Sequence, residues 1–170
     1  MGHEEPFQLK YLGIGNEQWG KSYFEHYDVF VDAFEKAAKD NPKLFGDIEF
    51  VVANGPGSGD TWAWDKIKVK GKSYAALVDE HYYSSPDWFL TNTDRYDRYQ
   101  RDYVGVFVGE YAAKSNTMIA AMAEAAYLTG LEKNGDVVRL ASMHRSLVMI
   151  RRFTGSRILS GLTMPPGTLP

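Results

Sequence analysis

Two glutamates close short apolar runs in this chain: Glu17 in YLGIGNEQWG (residues 11–20) and Glu110 in VFVGEYA (residues 106–112). Strand side chains alternate between faces. Gly13, Gly15 and Glu17 therefore share one side of the first run, and Val106, Val108 and Glu110 one side of the second. The glycines leave their side open, with a carboxylate at its carboxyl end. In a parallel α/β barrel that end of the strands carries the chemistry. Two facing carboxylates are the apparatus of glycoside hydrolysis, one protonating the leaving oxygen while the other attacks the sugar or activates water. On the barrel pattern alone, Glu17 reads equally well as a salt-bridged structural carboxylate and Glu110 as a capped strand end. His81 and Tyr83, two apart in VDEHYYSSPDWF, can be presented by one face of a strand end, with packed loop aromatics as the plain alternative.

The elements that must position these groups follow from periodicity. Strands are expected at about residues 10–15, 48–53, 75–79, 104–110 and 137–141, each a short apolar run. Between the first two lies a helix capped by Ser22, with Glu25 at the capping-box position. Its buried stripe is expected to be Tyr23, Tyr27, Phe30, Phe34 and Ala37, and Asn41-Pro42 stops it. Residues 62–68 read as a short helix, Pro86 opens a helical turn, and residues 118–131 form an Ala-rich helix. Strands alternating with helices mean a parallel α/β sheet.

With 170 residues, 44% hydrophobic and 24% charged, the chain can bury one core. It is shorter than the ~250 residues typical of a complete eight-stranded barrel. A net charge of −3 gives no reason to expect nucleic acid or an anionic membrane as partner. Cysteine is absent, which excludes disulfides and thiolate chemistry and leaves the compartment undecided. Glu4, Glu5, Lys10 and Glu17 break up the first twenty residues, so no signal-peptide core is expected there. The four histidines show no ligand spacing, and the glycines at 55, 57 and 59 lack the Gly-Lys-Ser/Thr ending of a phosphate loop. Neither a metal nor a cofactor is therefore expected.

The stretches YLGIGNEQWG, VDEHYYSSPDWF, VFVGEYA and AEAAYLTGLEKNGDVV, in that order, resemble the α-L-arabinofuranosidases of glycoside hydrolase family 51. The resemblance covers residues 1 to about 142. It implies a partial (β/α)8 TIM barrel, about five parallel strands with helices, running from strand four to strand eight. It implies that Glu17 is the general acid/base and Glu110 the nucleophile, close enough together to retain configuration. The His81-x-Tyr83 pair would line the sugar site and orient the nucleophile. Asn16, beside the acid, is a candidate to hydrogen-bond the sugar 2-hydroxyl; its plain alternative is a local turn bond. Trp19 and Trp88 offer flat rings but read better as packing. The implied activity is release of α-L-arabinofuranosyl residues from plant polysaccharides such as arabinan and arabinoxylan. An endo-acting glucanase or xylanase of the same barrel type, or a catalytically incompetent sugar-binding remnant, are the other readings. The partner would be an arabinose-containing oligo- or polysaccharide.

Past residue 142 the composition changes. Residues 143–170 hold Arg145, Arg151, Arg152 and Arg157 but no Asp, Glu or Lys. Setting those four aside leaves 15 of the 19 basic residues against 22 acidic ones, a net of −7 for residues 1–142. This divergent tail is expected to be an out-of-frame translation: permissible codons from Met143 on, read one nucleotide back, can spell the family-like YAPLF and a W-x-x-DLIWFDN pattern. A partial barrel also leaves two unpaired sheet edges. The chain is therefore expected to form a homo-oligomer, most simply a two-fold dimer.

Overall fold

The computed structural model describes residue 2 and residues 9–143. The residues beyond Met143, and with them almost all of the divergent tail, lie outside that range. Five strands form one sheet: β1 (Tyr11–Ile14), β2 (Glu49–Ala53), β3 (Leu77–Ser84), β4 (Gly105–Ala113) and β5 (Val138–Met143). They are all parallel and lie side by side in sequence order. That order separates barrel winding from a doubly wound sheet, whose strand order reverses part-way across. The connections carry α1 (Gly20–Asp40) and α2 (Pro42–Phe45), then α3 (Trp62–Lys70), then α4 (Pro86–Thr91), and finally α5 (Met118–Lys133). This is the expected partial TIM barrel.

Helices cover one face of the sheet, and the apolar core sits between. Tyr23, Phe24 and Tyr27 of α1 pack with Ala63 and Ile67 of α3 over Val52 and Val78. Phe89 of α4 and Tyr127 and Leu131 of α5 pack over Tyr82, Val106, Val108 and Tyr111. The buried tyrosines are satisfied within this layer: the Tyr82 hydroxyl lies 2.7 Å from that of Tyr127 and 3.1 Å from that of Tyr96. Trp88 belongs here too, its ring 5.3 Å from Tyr82, so it is packing and not a sugar platform. Among the described residues no helix is long and apolar enough to cross a membrane.

Three expectations change. α1 begins at Gly20, not after Ser22: Gly20, at φ +79, turns the chain straight into the helix, and Trp19 precedes it with no side-chain cap. The inward stripe of α1 then runs through Phe24 and Val31 and leaves Phe30 exposed, while Phe34 packs edge-on against Phe50 at 5.6 Å. β3 continues to Ser84, past the end expected near residue 79, so His81 and Tyr83 stand within the strand. The extra length lets β3 pair with β4 as far as Ala113.

The third change bears on the site. Val106 and Val108 face the helices, so strict alternation would carry Glu110 to the helix side with them. A bulge intervenes: Glu80 pairs with Val108, but His81 pairs with Glu110, leaving Gly109 as an extra residue on β4. Alternation restarts one residue out of phase. Tyr111 enters the helix-side core, and Glu110 turns to the opposite face beside His81 and Tyr83.

Candidate active site

The end of β1 is fixed by one side chain of α1. The Tyr23 hydroxyl donates to the Ile14 carbonyl at 2.7 Å and accepts from the Ala53 N–H at 2.9 Å, tying β1 to β2. Burial, partly opposed by the Ala53 N–H, pushes the Tyr23 hydroxyl up to about 12, so it stays a donor. Beyond Ile14 the chain makes a tight turn with Gly15 at φ +83 and Glu17 at φ +48. A non-glycine residue in the left-handed region costs about 1–2 kcal/mol, a type of strain found at functional positions. Glu17 thus reaches the site through this turn, beyond the end of the strand.

From that turn Glu17 Oε1 lies 3.3 Å from His81 Nδ1. His81, 3% exposed, stands on β3, and its Nδ1 is also 4.0 Å from Glu110 Oε1 on β4. The Tyr83 hydroxyl donates to the other oxygen of Glu110, Oε2. One oxygen each of Glu17 and Glu110, together with a ring nitrogen of His81, all fall within 4.8 Å of one another. A small cation would need the same spacing. None is assigned, because Glu17 is already engaged by His81 and Glu110 by Tyr83. On its far side His81 Nε2 meets Asp79 Oδ2 at 3.2 Å. Burial lowers the affinity of this imidazole for its second proton, but the hydrogen bond and charge of Asp79, with Glu17 and Glu110, outweigh it and raise the pKa above the ordinary 6.5.

Four of the five residues expected at the site are therefore together: Glu17, Glu110, His81 and Tyr83. Asn16 is exposed beside them; its backbone carbonyl accepts from Gln18 Nε2 at 3.2 Å, and its side chain is not joined to the cluster. Asp79 and Glu80 precede His81 on β3. Alternation along VDEHYY separates them: Asp79 shares a face with His81 and Tyr83, and Glu80 faces the helices. Glu80 is 2% exposed and accepts from Trp64 Nε1 (2.9 Å), Tyr99 Oη (3.1 Å), Tyr96 Oη (2.8 Å) and Arg95 Nη2 (3.2 Å). It anchors β3 from behind. A buried charge with four donors is a structural anchor.

Two carboxyl groups this close, at the carboxyl ends of parallel strands, have the spacing of a nucleophile and a proton donor placed on either side of one anomeric carbon, as retention requires. A family model described as the alpha-L-arabinofuranosidase 1 domain matches residues 1–101. The chain is 42% identical over 142 residues to the extracellular exo-alpha-L-arabinofuranosidase of Streptomyces chartreusis, covering 84% of this chain and 16% of that protein. It is 38% identical over 148 residues to alpha-L-arabinofuranosidase 1 of Arabidopsis thaliana, covering 84% of this chain and 19% of that one. The arabinose-bound MgGH51 α-L-arabinofuranosidase structure superposes with a TM-score of 0.59 at 29% identity, over 86% of this chain and 24% of the other. The chain thus spans less than a fifth of the length of these two curated relatives. A match over more than half its residues shows that the chain belongs to the α-L-arabinofuranosidases of glycoside hydrolase family 51.

Proposed function

We propose that this barrel segment carries the catalytic pair of a retaining exo-α-L-arabinofuranosidase, which removes arabinose side chains from plant polysaccharides such as arabinan or arabinoxylan. The observation that carries this reading is the approach of Glu17 and Glu110 to within 4.8 Å across the carboxyl ends of β1 and β4. In the first step Glu110 Oε1 forms a bond to the anomeric carbon as the glycosidic bond breaks, and Glu17 delivers a proton to the departing oxygen. Tyr83 donates to Glu110 Oε2, and in this reading Oε1 is the oxygen that attacks. In the second step water adds to the anomeric carbon, the ester to Glu110 breaks, and Glu17 takes the water's proton. Two inversions give net retention. In this reading Asn16, exposed beside the cluster, would hydrogen-bond the sugar 2-hydroxyl.

The test is hydrolysis of 4-nitrophenyl α-L-arabinofuranoside by the purified chain and by Glu110→Ala. Release by the first and none by the second is expected. Arabinose binding without release would give the chain a sugar-binding role instead, and cleavage of a soluble glucan would make it endo-acting. We further propose a dimer in solution. Among the described residues β1 pairs only with β2 and β5 only with β4, and Leu140 and Met143 of β5 are exposed. An open edge of this kind is a template for a second copy. Light scattering over a dilution series decides; a constant monomer mass excludes the dimer.

A further inference from the structure

Asp79 takes no part in the reaction as written, yet it backs the imidazole that stands between the two glutamates. Its Oδ2 meets His81 Nε2 at 3.2 Å, while its Oδ1 is buried with no hydrogen-bond partner among the described residues. Leaving a buried charged oxygen unpaired is destabilising, so this carboxylate depends on the imidazole it touches. Room for the pair exists only because residue 109 is glycine. A Cβ there would overlap Asp79 Oδ1 and stand 2.7 Å from His81 Nε2. Of the three groups that converge, His81 is also the most sheltered: its side chain is 3% exposed, against 28% for Glu110 and 37% for Glu17.

We propose that Asp79 is a positioning residue that fixes His81 as an Nε2–H donor, and that His81 Nδ1 is the resting place of the proton Glu17 delivers. This deepens the proposed glycosidase reading and rests on it. With Nε2–H committed to Asp79, the second imidazole proton lies on Nδ1, facing Glu17 Oε1 at 3.3 Å. As the glycosidic bond breaks, that proton passes to Glu17 and on to the leaving oxygen. His81 is left neutral and Glu17 a carboxylate, the form required of a base. In the second step Glu17 takes a proton from water and returns it to Nδ1. One proton leaves and one comes back, and no other reactant is required. The ionisable groups facing the imidazole are Asp79 on its own strand, Glu17 from the turn after β1 and Glu110 on β4. All three are acidic, which favours the doubly protonated ring and agrees with its raised pKa.

The test is a pH titration of the whole chain labelled with 15N-histidine, followed by NMR. The expected result is an Nε2–H ring whose Nδ1 proton is lost above pH 6.5. Asp79→Asn should bring that titration down by about one pH unit or more and release the tautomer; Asp79→Ser carries the same expectation should the amide variant fail to fold. A purely structural Asp79 would change the melting temperature and leave titration and tautomer as they were, and that outcome overturns the inference. A second arm compares 4-nitrophenyl with methyl α-L-arabinofuranoside. Asp79→Asn should lower kcat on the methyl glycoside about tenfold more than on the aryl one, since only the former needs the delivered proton. If the unaltered chain hydrolyses neither, the glycosidase reading fails, while the NMR titration still decides the placement of the proton.

Discussion

The Tyr83 hydroxyl donates to Oε2 of Glu110 while the other oxygen of the same carboxylate lies 4.0 Å from His81 Nδ1. The two oxygens of Glu110 are thereby made unequal, one tethered by a phenol and the other facing the imidazole. Tyr83→Phe removes the tether and keeps the ring. A hydrogen bond to a charged group contributes about 1.5–3 kcal/mol, so kcat/KM should fall roughly 10- to 100-fold with the fold unchanged. Steady-state kinetics beside a circular dichroism spectrum checks both halves of that statement.

Glu17→Ala should discriminate between leaving groups. Aryl arabinofuranosides with acidic phenols need little protonation and should be hydrolysed far better by the variant than natural linkages. A comparison of kcat across a series of substituted phenols should show a steeper dependence on leaving-group acidity than in the unaltered chain. Equal loss across the series would remove Glu17 from the role of acid.

Gly109→Ala places a methyl group against Asp79 and His81, in contact too close to accept without a shift of β3 or β4. Overpacking of this kind destabilises by about 1–3 kcal/mol. Thermal melting should register it, and activity should fall further than stability does, because the methyl displaces His81 from between the two glutamates.

Glu80→Leu is expected to be worse. It leaves Arg95 buried beside no counter-charge and strips acceptors from Trp64, Tyr96 and Tyr99. Removing one partner of a buried ion pair costs about 3–5 kcal/mol, a large fraction of a domain's stability. Chemical denaturation with urea measures it.

Stability should also carry the signature of two titrations. The imidazole of His81 is raised above 6.5 in the folded chain, so its contribution is complete below that pH and is lost as pH climbs through the folded value. Tyr23, moved from 10.0 to about 12, contributes fully below 10 and loses that contribution as pH passes 12. Melting temperature against pH should fall in both windows. His81→Gln should flatten the first, while Tyr23→Phe should remove only Tyr23's share of the second, since Tyr127 is likewise pushed up to about 12.

Much of this was legible in the sequence. The alternation of strands and helices gives the parallel sheet, and the motifs around Glu17, His81, Tyr83 and Glu110 bring the site together. What strand periodicity misplaced was the face of Glu110. Counting by twos from Val106 puts Glu110 beside two valines that point to the helices, and nothing in VFVGEYA marks Gly109 as an added residue. The glycine is the trace of the bulge, but a glycine in a strand equally marks a tight bend or a close backbone approach. Phe30 was misread for a related reason. Its spacing from Tyr27 and Phe34 suits an amphipathic stripe, while the helix turns its buried side through Phe24 and Val31. Periodicity gives the width of a stripe better than its rotation. Asp79 was legible as a neighbour of His81 and not as its partner, since the distance between two side chains on one strand depends on rotamers.

The out-of-phase residue in β4 has a consequence for anyone moving this chemistry elsewhere. A regular strand carrying VFVEYA in place of VFVGEYA keeps every side chain, and by simple alternation it seats the carboxylate on the same side as His81 and Tyr83. The shortened strand, however, carries no surplus backbone and lacks the local bend that a bulge brings. Its carboxylate would stand square across from the imidazole. The transferable unit is therefore the pair of strands with the glycine included, and a graft of the glutamate and its tyrosine alone copies the parts without the offset that aims them.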